Sequence, residues 1–213
     1  MIRGVQTALT LLVAMMVVPS LADTIRFTSE MAGAPPPNFD FSRTGNGGPG
    51  QWTVVRDETA DGGYAVEQQS QDRTDYRFPL AIYKPLSAKN VDVQIRFKAI
   101  AGNVDRAGGI AVRLITPDDY YVVRANALED NVRFYRVVRG NREQLATANI
   151  KVPSNEWNVL GLRAEGNRFT ISFNGKTLYA VTDRTFDAAG KVALWTKADS
   201  VTRFDRLEIK PLP

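Results

Sequence analysis

The chain has 213 residues, 44% of them hydrophobic and 23% charged, with a formal net charge of +4. That composition is globular rather than disordered, and the mild positive balance is spread too evenly to imply nucleic acid. Histidine and cysteine are absent. Their absence excludes histidine-based triads, soft metal sites, thiol chemistry and disulfides, and leaves only hard cations on oxygen ligands.

The first segment reads as an export signal. Arg3 precedes an uncharged run, "VQTALTLLVAMMVV", and "PSLA" sets Ser20 and Ala22 at the small-residue spacing of a cleavage site before Asp23. The run is shorter than the roughly twenty apolar residues of a membrane span. The expected division is a signal peptide at 1–22, an extended N-terminal segment at 23–50 and one sandwich domain at 51–213. Cleavage would remove one of the 27 basic residues and none of the 23 acidic ones, for a net charge near +3. The mature protein is expected outside the cytoplasm, periplasmic or secreted, as a monomer with no membrane span and no lipid anchor.

Residues 29–50, with Pro35, Pro36 and Pro37 in a row and several glycines, read as extended chain without a regular element. Beyond them come short alternating runs. "QWTVVRD", "GYAVEQQS" and "FPLAIYKP" read as strands, and "VDVQIRFKAI" puts Val91, Val93, Ile95 and Phe97 on one face. "GIAVRLI", "YYVVRANA", "VRFYRVV", "EQLATANI", "WNVLGLRAE", "RFTISFNG", "TLYAVTD", "KVALWTK" and "FDRLEIK" follow. The tips "RGN" and "NGK" carry the residues that hairpin turns need at positive φ. About a dozen strands result, none of the central ones holding a proline. With no crossover helix to join parallel strands, the sheets should be antiparallel, and the fold an all-β, two-sheet jelly-roll sandwich.

Side-chain parity then assigns faces. Ile110, Val112 and Leu114 form an apolar row, so Arg113 should look outward. Tyr121, Val123, Ala125 and Ala127 face the core and leave Tyr120, Arg124 and Asn126 outside. Val132, Phe134 and Val138 point in, with Arg133, Tyr135 and Val137 out; Arg136 breaks the inner row and predicts a bulge or strand end. Val192, Leu194 and Thr196 oppose Lys191, Trp195 and Lys197. The candidate ligand-binding face is therefore Arg113, Tyr120, Arg124, Asn126, Arg133, Tyr135 and Trp195. Aromatic rings there could stack on a sugar while guanidinium and amide groups bond its hydroxyls. The bland alternative is a solvated face of cross-strand pairs.

Carboxylates give a weaker signal. Asp118 and Asp119 after Pro117, and Glu129 and Asp130 before Asn131, have the character of hairpin tips. The Glu-x-Asp-x-x-Glu row that a laminarinase-type retaining glycosidase carries on one strand is missing. Glu67 and Glu165 are lone strand acids, expected to be solvated. An enzyme would have to use loop acids such as Asp105, Asp118, Asp119 and Glu129.

"GGIAVR", "DDYYVVRANALEDNVRFYRV", "GNRFTISFNGKTLYAVTD" and "GKVALWTKADSVTRFDRLEI" resemble the laminin-G-like, concanavalin A-type jelly rolls of the lectin and glucanase fold. More narrowly they resemble the 3-keto-disaccharide hydrolase family and its family-16 glycoside-hydrolase-like relatives. The resemblance spans residues 51–210. Its G-I-x-x-R pattern matches Gly109, Ile110 and Arg113, which implies that Arg113 faces a sugar cleft. Where that family has Tyr-Glu-x-Gln, this chain has Tyr121, Val122, Val123 and Arg124, and the lack of histidine is a further departure. The function expected is an exported glycan-binding domain with a carbohydrate ligand and no cofactor. A hydrolase of 3-keto-glycosides and an envelope scaffold without a small ligand are the alternatives. Asp205 on the last strand is a candidate ligand of a structural calcium, as in many jelly rolls.

Overall fold

The computed structural model describes residues 22–213, so the predicted signal peptide lies, except for Ala22, outside the described residues. Among the described residues there are fifteen strands: β1 (Asp23–Arg26), β2 (Phe39–Gly45), β3 (Trp52–Arg56), β4 (Tyr64–Gln68), β5 (Arg77–Ala88), β6 (Val91–Ala101), β7 (Ala107–Thr116), β8 (Asp119–Asn126), β9 (Asn131–Val138), β10 (Asn141–Asn149), β11 (Trp157–Glu165), β12 (Arg168–Phe173), β13 (Lys176–Thr182), β14 (Gly190–Trp195) and β15 (Val201–Pro211). They form two sheets. One runs β13-β12-β11-β6-β15-β4-β3 with β1 added on β15; the other runs β10-β9-β8-β7-β14-β5-β2. All strand pairs are antiparallel. This is the concanavalin A-like jelly roll. No helix among the described residues is long and apolar enough to cross a membrane.

The main core lies between the sheets. Val91, Val93, Ile95 and Phe97 of β6, as their alternation predicts, meet Tyr121, Val123, Phe134, Val192 and Leu194 from the second sheet. Tyr121 stacks on Phe134 and packs on Phe169, with ring centroids 5.8 and 4.4 Å apart. Aromatic pairs of this kind add about 0.5–1.5 kcal/mol each beyond the area they bury.

Three expectations are corrected. The segment at 29–50 contains β2, which pairs along β5 from Phe39↔Tyr83 to Gly45↔Arg77. Its sign was the alternation of Phe39 and Phe41 with Asp40 and Ser42, masked by the prolines just before it. Prolines do enter a strand: Pro79 and Pro85 lie within β5, flanked by β2 and β14. Arg136 causes no bulge, since β8 and β9 keep unbroken register through Tyr121↔Arg136. Its guanidinium instead reaches the rim of the sandwich, bonding Glu143, Asp183 and Thr185.

The second sheet carries another apolar cluster on the face turned away from the main core. It contains Phe78, Leu80, Ala111, Tyr120, Val122, Tyr135, Val137 and Trp195. Strong curvature makes this possible. In a flat sheet, β10 and β5 would lie five strand spacings apart, about 24 Å. Yet the Arg142 guanidinium carbon of β10 is 4.7 Å from the centre of the Phe78 ring of β5. Tyr76, just before β5, donates its hydroxyl to the Gly140 carbonyl and accepts from the Arg142 N–H, both at 2.8 Å.

Candidate functional site

The concave face of the second sheet divides into an apolar region and a charged one. In the apolar region Trp195 is fully buried, stacked on Phe78 with centroids 5.3 Å apart, and its Nε1 donates to the Tyr120 hydroxyl at 3.3 Å. Tyr120, also fully buried, shares a 2.7 Å hydrogen bond with Thr44. Burial pushes its hydroxyl up to about 12. Gly109 lies opposite Trp195 in the ladder. A Cβ there would sit 3.2 Å from both the Trp195 ring and Arg124 and 2.6 Å from the Val123 carbonyl, so glycine lets the indole and Arg124 pack side by side.

The charged region is built on the β8–β9 hairpin. Arg124 and Arg133 are direct cross-strand partners. Two guanidinium groups so placed repel unless an anion lies between them, and the turn supplies Glu129. Its carboxylate is 2.8 Å from Arg124 Nη2 and 3.4 Å from Arg133 Nη1, and it accepts from Asn131 at 3.1 Å. Burial pushes the Glu129 carboxyl up, but the charge of Arg124, with Asn131 and Arg133, outweighs this and holds it below the usual range. Arg124 itself is 2% exposed and also donates to Asn131 and to the Tyr135 hydroxyl. Tyr135 is flanked by two cations, with Arg142 4.4 Å and Arg124 5.9 Å from its ring centre.

Beside this group, Asn126 donates to the buried carboxylate of Asp105 at 2.7 Å. Lys197 pairs with Asp105 at 3.0 Å and Asp75 at 2.6 Å. Burial pushes the Asp105 carboxyl above its usual range, against the pull of Lys197.

Of the residues predicted for the face, the structure thus brings Arg124, Asn126, Arg133 and Tyr135 together. Trp195 and Tyr120 have the predicted parity but lie beneath other side chains, so neither offers a ring to solvent. Arg113 is a correction. Its φ of +49° and the break in register after Val112 form an irregularity in β7 that turns the side chain off the concave face. Its guanidinium donates to the carbonyls of Lys89, Phe186 and Gly166 and lies over the Phe169 ring at 5.1 Å. The irregularity also splits its apolar row, leaving Ile110 and Val112 in the main core and Leu114 in the second cluster.

Asp118 and Asp119 form a turn: Asp119 accepts from Thr116 and from the Arg139 N–H. Asp205 is buried; its Oδ2 is paired with Arg96 and accepts from the Asp61 N–H, while its Oδ1 has no hydrogen-bond partner. Among the described residues no group of three or more acidic side chains is placed to hold a metal. Glu67, expected to be solvated, is 7% exposed and paired with Arg203.

Asp105, Asn131, Arg142 and Lys197 are the residues that sequence reasoning left out of the face. For Lys197 the signal was present, since it shares parity with Trp195. A cleft of about 420 Å³ lies elsewhere, along the β2 edge, between Phe41, Arg43, Pro49, Gly50 and Asp118.

Residues 40–210 match the family described as a 3-keto-alpha-glucoside-1,2-lyase-like domain, and the chain belongs to that family. No curated protein matches the sequence. Among solved structures it is similar to the CBM66 carbohydrate-binding module from Bacillus subtilis, at 21% identity and TM-score 0.63, covering 86% of this chain and 99% of that one. Lectin II from Ulex europaeus is similar at 9% identity and TM-score 0.62, covering 92% and 100%. A Bacillus licheniformis β-glucanase is similar at 10% identity and TM-score 0.57, covering 92% and 100%. At these identities the likeness establishes the fold alone.

Proposed function

We propose that the protein is an exported, periplasmic or secreted, monomeric domain that binds a carbohydrate on the charged half of its concave face. The observation that carries this reading is the Arg124–Glu129–Arg133 group, fixed by Asn131 and Tyr135 and partly open to solvent. The side chains of Arg133 and Glu129 are 34% and 40% exposed. Sugar hydroxyls are paired donors and acceptors, and a fixed guanidinium beside a carboxylate meets both. With Trp195 and Tyr120 covered, recognition would rest on hydrogen bonds rather than ring stacking. The carbohydrate-binding module and the lectin that share the fold support the same reading. Isothermal titration of residues 23–213 against a glycan panel tests it. A ligand that binds wild type and loses about thirtyfold in affinity for Arg133→Ala is expected. Binding to no member of a broad panel, or undiminished binding by the variant, would contradict it.

A second reading, an enzyme, is favoured by the family. Its description names a lyase rather than a hydrolase. In a 3-keto-glucoside the ketone acidifies the C2 hydrogen; a base removes it, the C1–O bond breaks, and the leaving group departs as an alcohol. Glu129, ionised and half-exposed, is the candidate base. Asp105, with its raised pKa, has the character of an acid, but it is 1% exposed and held by Lys197 and Asn126. The closed position of Asp105 is the reason for proposing binding ahead of catalysis. Formation of the conjugated enone from a 3-keto-glucoside, followed by ultraviolet absorbance, would reverse the order.

A further inference from the structure

Cations outnumber carboxylates on the charged half, and their donors are unevenly satisfied. Lys197 is matched by Asp75 and Asp105. Arg124 and Arg133 share the single carboxylate of Glu129. Arg142 makes no ion pair with any described residue, and its guanidinium lies against the rings of Phe78 and Tyr135. Buried N–H groups of all three arginines lack a partner: Nε of Arg124, Nε of Arg133 and Nη1 of Arg142. The contrast with the arginines that hold the fold is direct. Arg77, fully buried, spends its donors on the carbonyls of Gly48, Pro49 and Ala198 and on the Ser70 hydroxyl. Arg113 does the same on three other carbonyls.

Leaving a buried donor without a partner is costly, the more so when it is charged. A structural arginine would be expected to relieve that cost, as Arg77 and Arg113 do. Arg142 is instead steadied by aromatic faces, which hold a guanidinium in place without using its in-plane N–H donors. Nη1 is buried, but Nε and Nη2 are not among the buried unpartnered atoms and make no hydrogen bond with a described residue, so they are the donors open to an incoming anion.

We propose that the ligand of this site is an acidic sugar, a uronic acid whose carboxylate is received by Arg142 with Arg124 and Arg133 beside it. The inference rests on the carbohydrate-binding reading and adds the charge of the ligand. A planar carboxylate suits a guanidinium fork through two parallel hydrogen bonds. Glu129, 40% exposed, is left for the ring hydroxyls, while the buried Asn131 and Tyr135 hold the group in place.

The test compares three ligands by titration calorimetry on residues 23–213: a uronic-acid oligosaccharide, its methyl ester and a sulfated oligosaccharide. The ester keeps the shape and removes the charge. Wild type should bind the free acid about tenfold more tightly than the ester. The preference should shrink when salt rises from about 0.05 to 0.5 M, because partly exposed charges are screened. Arg142→Gln should bind acid and ester alike. Arg142→Lys should keep part of the preference, having the charge without the fork, and thermal melts of both variants show that each is folded. Equal binding of acid and ester by wild type would overturn the acidic-ligand proposal while leaving a neutral-glycan site standing. Tighter binding of the sulfated sugar would overturn the carboxylate assignment, as would an unchanged preference in folded Arg142→Gln. Failure of acidic and neutral glycans alike would overturn both this proposal and the reading beneath it.

Discussion

The two halves of the concave face share one sheet, one parity and one set of strands, yet they do opposite things. Around Trp195 the curl of the sheet brings Phe78 and Tyr120 together and closes the surface into a second core, with Arg142 at its border between the Phe78 and Tyr135 rings. A few ångströms away, across Gly109, Arg124 and Arg133 face each other with one carboxylate; Arg124 is buried, while Arg133 and Glu129 stay partly wet. An outward-facing residue in a strongly curled sheet can be as buried as one in the main core. Outwardness alone therefore does not mark a ligand platform; unsatisfied polar groups at an accessible edge mark it better.

The sharpest way to break this comparison is to remove the filler of the apolar half. Trp195→Ala should destabilise the domain by about 3–5 kcal/mol, the usual range for deleting a fully buried aromatic side chain, read from chemical denaturation. A loss below about 1 kcal/mol would show that Trp195 is exposed in solution. Next in size is Arg113→Met. It leaves the carbonyls of Lys89, Phe186 and Gly166 without their donor and should cost about 3 kcal/mol. Glycan affinity, measured under native conditions, should not change. A selective loss of binding in a fully stable Arg113→Met variant would return Arg113 to the ligand site.

How much of this was legible follows from what alternation can and cannot carry. The jelly roll and the inward set Tyr121, Val123, Ala125, Phe134 and Leu194 follow from a period of two, which is a local property. The parity of Tyr120, Arg124, Arg133, Tyr135 and Trp195 follows in the same way. The irregularity at Arg113 was not legible, because a one-residue break reverses parity and its cause is tertiary. A Cβ on Gly190 would lie 2.4 Å from the Arg113 backbone, so the neighbouring strand presses on β7 there. The burial of Trp195 was hidden as well. Its cover comes from Tyr120 and Phe78, distant in sequence, and only the tertiary fold brings them near.

Smaller effects sharpen the contrast. Arg133→Ala, in the charged half, should change stability by no more than about 0.5 kcal/mol while costing about 2 kcal/mol of glycan affinity. A large stability loss with intact binding would make the charged half another structural network. The smallest effect concerns pH. Asp72, in the loop that leads to Tyr76, accepts from the Gly48 and Thr74 N–H groups and the Thr74 hydroxyl, which draw its carboxyl from 3.8 down to about 2. A lowered folded-state pKa contributes stability above the unfolded value that is lost as pH falls through the folded one. The contribution should therefore be complete above pH 3.8 and fade toward pH 2. Asp72→Asn should flatten that part of the stability–pH curve; an unchanged curve would show that the contact is not kept in solution.

The division of the face is tested most directly by amide chemical-shift mapping during titration with a glycan that binds. Shifts should centre on Arg124, Glu129, Asn131, Arg133 and Arg142 and fade toward Arg113. Shifts centred instead on the Phe41–Gly50 cleft, or absent from the β8–β9 hairpin, would contradict the assignment of the charged half as the binding site.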